Sequence, residues 1–518
     1  MKKASSGPAA TGWRSGLAGG GAIAAMLLGA AIARADDDVT KGDKLAMSSE
    51  AHIVKYDNSG FTHDPYYGST YQPTQQIEIY GGKHQVNEQR PLVEIGQPLY
   101  IEGPLTPTFN DVGRKNLVQP AFSIFGDWRS AISYNNNGKN KEVGSIATRL
   151  NLETDVQLTS TERIHALFRP LDQNGVFTHY DFFGPNQNGG SIPLNLTPRT
   201  AFFEGDLGNI AAGLTDQYQG FDLPFAVGLT PLLFQNGVWV NSALLGGAVS
   251  IAGRNSATFH ISNMDTTFFA GFDNVTTPAV KDTAGRLVDH GLSAYGAATF
   301  IEATEGYWEG GIGYIQDNRG LQFDASYGDA TIAFTRRYGG WLSNSMRVVY
   351  AFGQQAQALG QHTADGVIFL MENSLISPKE LVLVPYMNLF YGVGHPQSLM
   401  RNADAGGILN NTGILFETDG LTGFPKLDDS GQDTYGGSIG LEYLFNLDQQ
   451  IVFEFGTVQT RTGSVQIGRQ ARGAEYGGEI RYQRNITNSL LFRANLMYAE
   501  ELNLPHIAGI DFELRQKF

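Results

Sequence analysis

Hydrophobic and polar positions alternate with a period of two along most of this chain. Between Gly144 and Leu158, Ile146, Leu150, Leu152, Val156 and Leu158 share one face. Arg149, Asn151, Glu153, Asp155 and Gln157 share the other. Side chains of a strand point alternately to its two faces, so this spacing predicts one long strand with an apolar and a charged side. Thr159, Ser160 and Thr161 then turn the chain. Ile164, Ala166 and Phe168 alternate with Arg163, His165 and Arg169 to complete a hairpin. The same alternation predicts strands at Phe122–Tyr134, Ser345–Phe352, Ser438–Phe445, Tyr476–Gln483 and Leu490–Tyr498.

Two architectures give such two-faced strands, a soluble sandwich and a membrane barrel. The alternating runs are about 9–15 residues long, where sandwich strands average five or six. They continue almost to the last residue with no helical pattern between them. At the end, Ile510, Phe512, Leu514 and Phe518 alternate with Asp511, Glu513, Arg515 and Lys517. The pattern therefore predicts an all-β transmembrane antiparallel barrel over residues 119–518. The runs number roughly 16 to 19, and bacterial single-chain barrels have even strand numbers, which selects 18 strands with 16 as second choice. A barrel of that size is expected to enclose an aqueous lumen instead of a packed core.

Composition agrees. Only 17% of residues are charged, below the roughly 25% usual in soluble proteins. The 64 glycines suit turns and close strand packing, and an aromatic share of 11% suits interfacial girdles. No stretch after residue 35 reaches the ~20 apolar residues of a spanning helix. The chain has no cysteine, which excludes disulfides, thiol catalysis, cysteine-ligated metal and a lipoprotein anchor. A net charge of −15 argues against nucleic acid as a partner.

The N-terminus reads as a targeting segment. Lys2, Lys3 and Arg14 precede an apolar run from Leu17 to Ile32, and Ala33-Arg34-Ala35 fits a small-x-small cleavage box. Residues 1–35 are thus expected to be a signal peptide cleaved near Ala35, and the mature chain to reach the outer membrane of a Gram-negative bacterium. Its partners there would be lipid and lipopolysaccharide. Residues 36–118 alternate poorly and read as a periplasmic extension or plug-like segment. Three long connections stand out at Asp172–Arg199, Thr215–Gly237 and Gly394–Asp433, the last a plausible constriction over a pore.

The polar face is the main functional feature. With the apolar faces toward lipid, the lumen receives Arg129, Arg149, Glu153, Asp155, Arg163, His165, Arg169, Arg347, Arg481 and Arg493, together with Asp127, Glu442, Glu475, Glu479, Asp511, Glu513 and Arg515. Such charges pair across strands in any barrel. They also suit a hydrophilic solute that is anionic or a carbohydrate, because guanidinium groups bind carboxylates in a fork. Arg149, Arg163 and Arg169, on one hairpin, are the expected selectivity point and predict weak anion preference. Charges on outer loops are screened over a Debye length of about 8 Å.

Other chemistry is weakly signalled. Gly436, Ser438 and Gly440 match the Gly-x-Ser-x-Gly form, yet that motif needs a following helix, and here it opens a strand. The ten histidines show no metal-ligand spacing. No cofactor, metal or catalytic residue is expected. The alternatives to a channel are a barrel lipid hydrolase using Ser438 and a structural sheath for a partner protein.

Two segments resemble alginate-export-type outer-membrane proteins. Arg149–Arg163 reads RLNLETDVQLTSTER, followed by Ala166 to Phe168. Thr200–Gly208 reads TAFFEGDLG and leads into Ala212 to Leu214. The resemblance implies an 18-stranded barrel with an arginine-lined, loop-occluded pore. The N-terminal extension and the Thr215–Gly237 connection depart from that family. The terminal Phe518 resembles the signal read by the barrel-assembly machinery, and Gln516 departs from it.

Overall fold

A computed structural model describes residues 90–96, 113–138, 142–173, 175–282, 285–320, 324–355, 362–376, 382–417, 421–446, 448–461, 474–502 and 504–518. The expected signal peptide and most of the expected N-terminal extension lie outside them.

The alternating runs become the wall of a closed antiparallel barrel of 18 strands. These are β1 Val118–Asn137, β2 Glu142–Thr159, β3 Arg163–Phe168 continued by Val176–Phe183, and β4 Pro198–Asp206. Next come β5 Pro224–Phe234, β6 Val240–Ser256, β7 Ile261–Asp273, β8 Leu292–Ala303 and β9 Gly306–Asp317. β10 Tyr327–Tyr338, β11 Leu342–Phe352, β12 Asp365–Leu375, β13 Leu383–His395 and β14 Thr434–Asn446 follow. The wall ends with β15 Gln449–Thr460, β16 Glu475–Asn485, β17 Leu490–Glu501 and β18 Ile507–Lys517. Each strand pairs with the next in sequence. The sheet closes because β1 pairs with both β2 and β18, Arg129 lying beside Arg149 on one side and Arg515 on the other. Phe518 finishes the seam: its backbone N–H donates to the Gly126 carbonyl at 3.1 Å and its carbonyl accepts from the Gly126 N–H at 2.8 Å. A short strand, Val93–Gly96, lies along the start of β1.

At one end most connections are brief, as at 160–162, 257–260, 304–305, 339–341 and 486–489, and 207–223 is the exception. At the other end several are long, and 396–433 is the longest. The outer face carries exposed Ile132, Ile146, Ile312, Ile332, Ile439 and Leu496, side chains that a soluble protein would bury. Among the described residues no helix is long and apolar enough to cross a membrane, which has no bearing on strands.

Three expectations need correction. A helix does interrupt the strands: α1, Leu207–Thr215, starts where the Asp206 carboxylate accepts from the Asn209 N–H and stops at Asp216 in the left-handed conformation. The Thr215–Gly237 connection is largely wall, since Pro224–Phe234 is β5. Its apolar run does not alternate because its inner face is also covered, with Thr230 and Leu232 buried. Finally, the lumen is not open throughout. Trp239, Leu244, Leu292, Tyr327, Leu399, Leu409, Leu415 and Phe416 belong to one buried apolar cluster inside the barrel. The 396–433 connection supplies half of these residues, so it folds inward and gives the wall an apolar partner. Gly311 and Gly313 make room, because a Cβ there would stand 2.4 Å from the Trp239 ring and 2.2 Å from Leu399.

Candidate functional site

The site is the lumen that the inward loop leaves lined by charge. Its arginines sit on the strand faces opposite the exposed apolar side chains, as alternation requires. Cross-strand register sets their heights. Arg515, Arg129 and Arg149 lie side by side on β18, β1 and β2. Arg493 faces Glu513, which faces Ala131, one step nearer the long-loop end. Arg481 faces Asn495, which faces Asp511 and then Ser133, a step higher again. The result is a staircase of guanidinium groups climbing from β2 to β16.

Partners divide these arginines into two sets. Arg129 donates to Glu513 from both Nε, at 3.1 Å, and a terminal nitrogen. Arg515 forks onto Asp127 at 3.0 and 3.1 Å. Arg347 pairs with Glu372 at 3.0 Å on the far wall, and Arg163 pairs with Asp155 at 3.3 Å. Arg149 and Arg493 differ. Arg149 donates to Asn151 at 3.1 Å and its guanidinium lies over the Phe177 ring at 5.6 Å. Arg493 donates to Gln483 at 3.1 and 3.3 Å. Among the described residues neither has a carboxylate partner within ion-pair distance. Both guanidinium groups therefore have amide oxygens as their nearest acceptors, and Arg149 is only 8% exposed.

The acids are also placed. Asp155 lies 3.5 Å from His165, whose Nε2 is 2.9 Å from Glu204. His165 stacks on Phe202, so it is a bridge between carboxylates near the short-turn end. Glu153, one step from Asn151, is exposed and has no ion-pair partner among the described residues. The expected selectivity cluster of Arg149, Arg163 and Arg169 is divided by its partners, with Arg149 and Arg169 both acting on Asp404. Arg163 is neutralised by Asp155, and Arg169 leaves the strand to bind Asp404 of the inward loop at 2.5 Å.

Several wall charges hold the loop instead of facing water. Glu454 accepts from the backbone N–H groups of Ile414 at 3.1 Å and Leu415 at 2.9 Å, and from the Tyr386 hydroxyl. Glu475 accepts from the Asp428 N–H at 2.7 Å. Arg481 donates to Glu417 at 2.5 Å. Arg401 is fully buried on the loop and donates to the carbonyls of Gly237, Ala405 and Gly406. Sequence reasoning missed Arg401, Glu454 and Tyr386 because their partners are set by how the loop folds inward: backbone groups for Arg401 and Glu454, and the Glu454 carboxylate itself for Tyr386. Ser438 lies on β14, buried, and its Oγ has no hydrogen-bond partner among the described residues, so the Gly-x-Ser-x-Gly match is wall sequence. Among the described residues no cluster of histidine and acidic side chains could hold a metal.

No protein-family model and no curated protein sequence matches the chain. Solved structures resemble it at low identity. OccK8 (OprE) of Pseudomonas aeruginosa has a TM-score of 0.49 at 9% identity, covering 80% of this chain and 99% of that one. Wzi of Escherichia coli, an outer-membrane carbohydrate-binding barrel involved in capsule assembly, has a TM-score of 0.45 at 11% identity, with 76% and 84% covered. The chain is also similar to the outer-membrane protein OpdK of Pseudomonas aeruginosa, with a TM-score of 0.48, 11% identity and coverages of 76% and 98%.

Proposed function

We propose that this chain is a channel of the Gram-negative outer membrane that passes small hydrophilic anions, acidic sugars among them. The observation that carries this reading is the pair of unneutralised guanidinium groups, Arg149 and Arg493, on a staircase of arginines along a lumen. A guanidinium without a carboxylate partner is a ready fork for a solute carboxylate. Successive forks at rising heights let an anion move in short steps, each weak enough to leave. Paired Arg129 and Arg515 fix the field without trapping solute. The inward loop narrows the outer half of the barrel, so selection falls on the charged side that remains. The role is transport without chemistry, and the apolar outer face is what lipid solvates.

Planar-bilayer recording of purified protein in a salt gradient tests this. The expected reversal potential indicates anion preference, and addition of an acidic monosaccharide such as glucuronate reduces the chloride current. Absence of conductance, both in the full chain and after deletion of the loop, overturns the channel.

A further inference from the structure

Among the connections at the short-turn end, 207–223 stands out because it holds helix α1. A helix on a protein surface turns its large apolar side chains inward and its polar ones to water. α1 does the reverse. At about 3.6 residues per turn, Leu207, Ile210, Ala211 and Leu214 share one face, with Gly208, Ala212 and Gly213 on the other. The small residues are buried, while Leu207 is 42% and Leu214 72% exposed. Tyr218 and Phe221, in the chain returning to β5, are exposed as well.

Strand register sets the direction of that face. Ile164 and Val227 are exposed on the outer wall, and Phe203 pairs with both. Alternation puts Gly205 and then Leu207 on the same outer side. Leu207 is still on the ladder, its N–H donating to the Leu223 carbonyl at 3.2 Å. The exposed face of α1 therefore continues the apolar belt of β3–β5 past the end of the sheet. Two cations are fastened beside it. Gly113 packs so closely on the helix that a Cβ would stand 1.8 Å from the Gly213 carbonyl oxygen. The Arg114 N–H donates to the Asp216 carboxylate at 3.2 Å, and Lys115 Nζ lies 4.1 Å from the centre of the Tyr218 ring. The Arg114 side chain is exposed, and among the described residues neither cation has a carboxylate within ion-pair distance. The acids that follow the helix are Asp216, which holds that backbone N–H, and exposed Asp222.

We propose that α1 is an interfacial foot that binds an anionic glycerophospholipid of the periplasmic leaflet, the side that short turns face in outer-membrane barrels. An acyl chain lies along Leu207, Ile210 and Leu214, Tyr218 sits at headgroup depth, and the phosphate takes Arg114 and Lys115. Continuity with the apolar outer wall selects a lipid as the occupant. Two cations without acid partners select a negative headgroup. The foot sets the depth of the barrel in the leaflet and is independent of the arginine staircase in the lumen.

The chain has no cysteine, so Leu214→Cys carries a single environment-sensitive fluorophore on the full-length protein. The labelled protein is reconstituted in phosphatidylcholine vesicles with potassium iodide on both sides. Iodide is expected to quench this fluorophore several-fold less than one at Asp289→Cys, exposed at the opposite end. A trace of nitroxide-labelled phosphatidylglycerol should quench it more than nitroxide-labelled phosphatidylcholine, a preference of about fivefold for each cation engaged. Adding Arg114→Gln and Lys115→Gln should abolish that preference and leave the iodide protection and the bilayer conductance as they were. Equal iodide quenching at both positions puts the face in water and overturns the foot. Protection from iodide without quenching by either lipid means that protein covers the face, and overturns it too. Equal quenching by the two lipids, or a preference that survives the two glutamines, overturns the anionic site. So does loss of the preference on adding inorganic phosphate, which assigns the cations to a free anion. Lipid contact in a protein that never conducts keeps the foot and loses the channel.

Discussion

Trp239 donates its indole N–H to the Asp329 carboxylate at 2.7 Å, joining the tip between β5 and β6 to β10 inside the barrel. Both residues are fully buried. The other Asp329 oxygen has no hydrogen-bond partner among the described residues, so this indole is the polar group that makes the carboxyl tolerable there. Trp239→Phe keeps one aromatic ring and removes the donor, with an expected cost of at least about 1–3 kcal/mol from the lost bond. Trp239→Ala adds a cavity, for about 3–5 kcal/mol. Urea unfolding in detergent micelles reads both, and a Phe variant as stable as the parent refutes the bond's contribution.

The Arg169–Asp404 tether predicts acid-sensitive gating. Burial alone would raise the Asp404 pKa. The charge and hydrogen bond of Arg169, with Arg149 and Arg199 nearby, outweigh burial and hold it below the usual 3.8. A depressed carboxyl pKa stabilises the folded state fully above the ordinary value, and that contribution is lost as pH falls through the lower one. Single-channel records are therefore expected to become noisier only below the ordinary carboxylate range. Asp404→Asn should show the same noise at neutral pH. Quiet records from Asp404→Asn would show that the loop does not depend on this tether.

Selectivity should follow the unpaired arginines. An Arg149→Glu, Arg493→Glu double variant is expected to shift the reversal potential toward cations. Glu513→Gln should shift it toward anions by releasing Arg129. Arg163→Gln should do less than either, because Asp155 already neutralises Arg163. Equal shifts from Arg163→Gln and Arg149→Gln would contradict this division.

Deleting 402–432 removes the loop while leaving every wall strand. Conductance is expected to rise several-fold, with reduced discrimination between chloride and an acidic sugar. Glu454 and Glu475 lose their loop N–H partners and become solvated lumen acids, so anion preference should weaken as well. Unchanged conductance would mean that the loop does not limit flow.

Much of the wall was legible from spacing alone. The alternation between Gly144 and Leu158 required a strand with one apolar face, and β2 spans it. Glu479, Arg481 and Arg493 were assigned inward by the same rule. β5 was missed for a physical reason: its inner face packs against buried side chains, so the hydrophobic pattern loses its alternation. Helix α1 was missed because its signal is one cap, Asp206, within nine residues.

The sequence by itself determined which side of each alternating strand faces outward, because a two-residue period leaves no freedom once one face is apolar. It also determined closure, since a last strand as amphipathic as the first has no stable free edge in a membrane. Tertiary structure alone decided which charges are spent. Arg129, Arg163 and Arg169 look alike in sequence, yet cross-strand register and an inward loop give each a carboxylate and give Arg149 and Arg493 only amides.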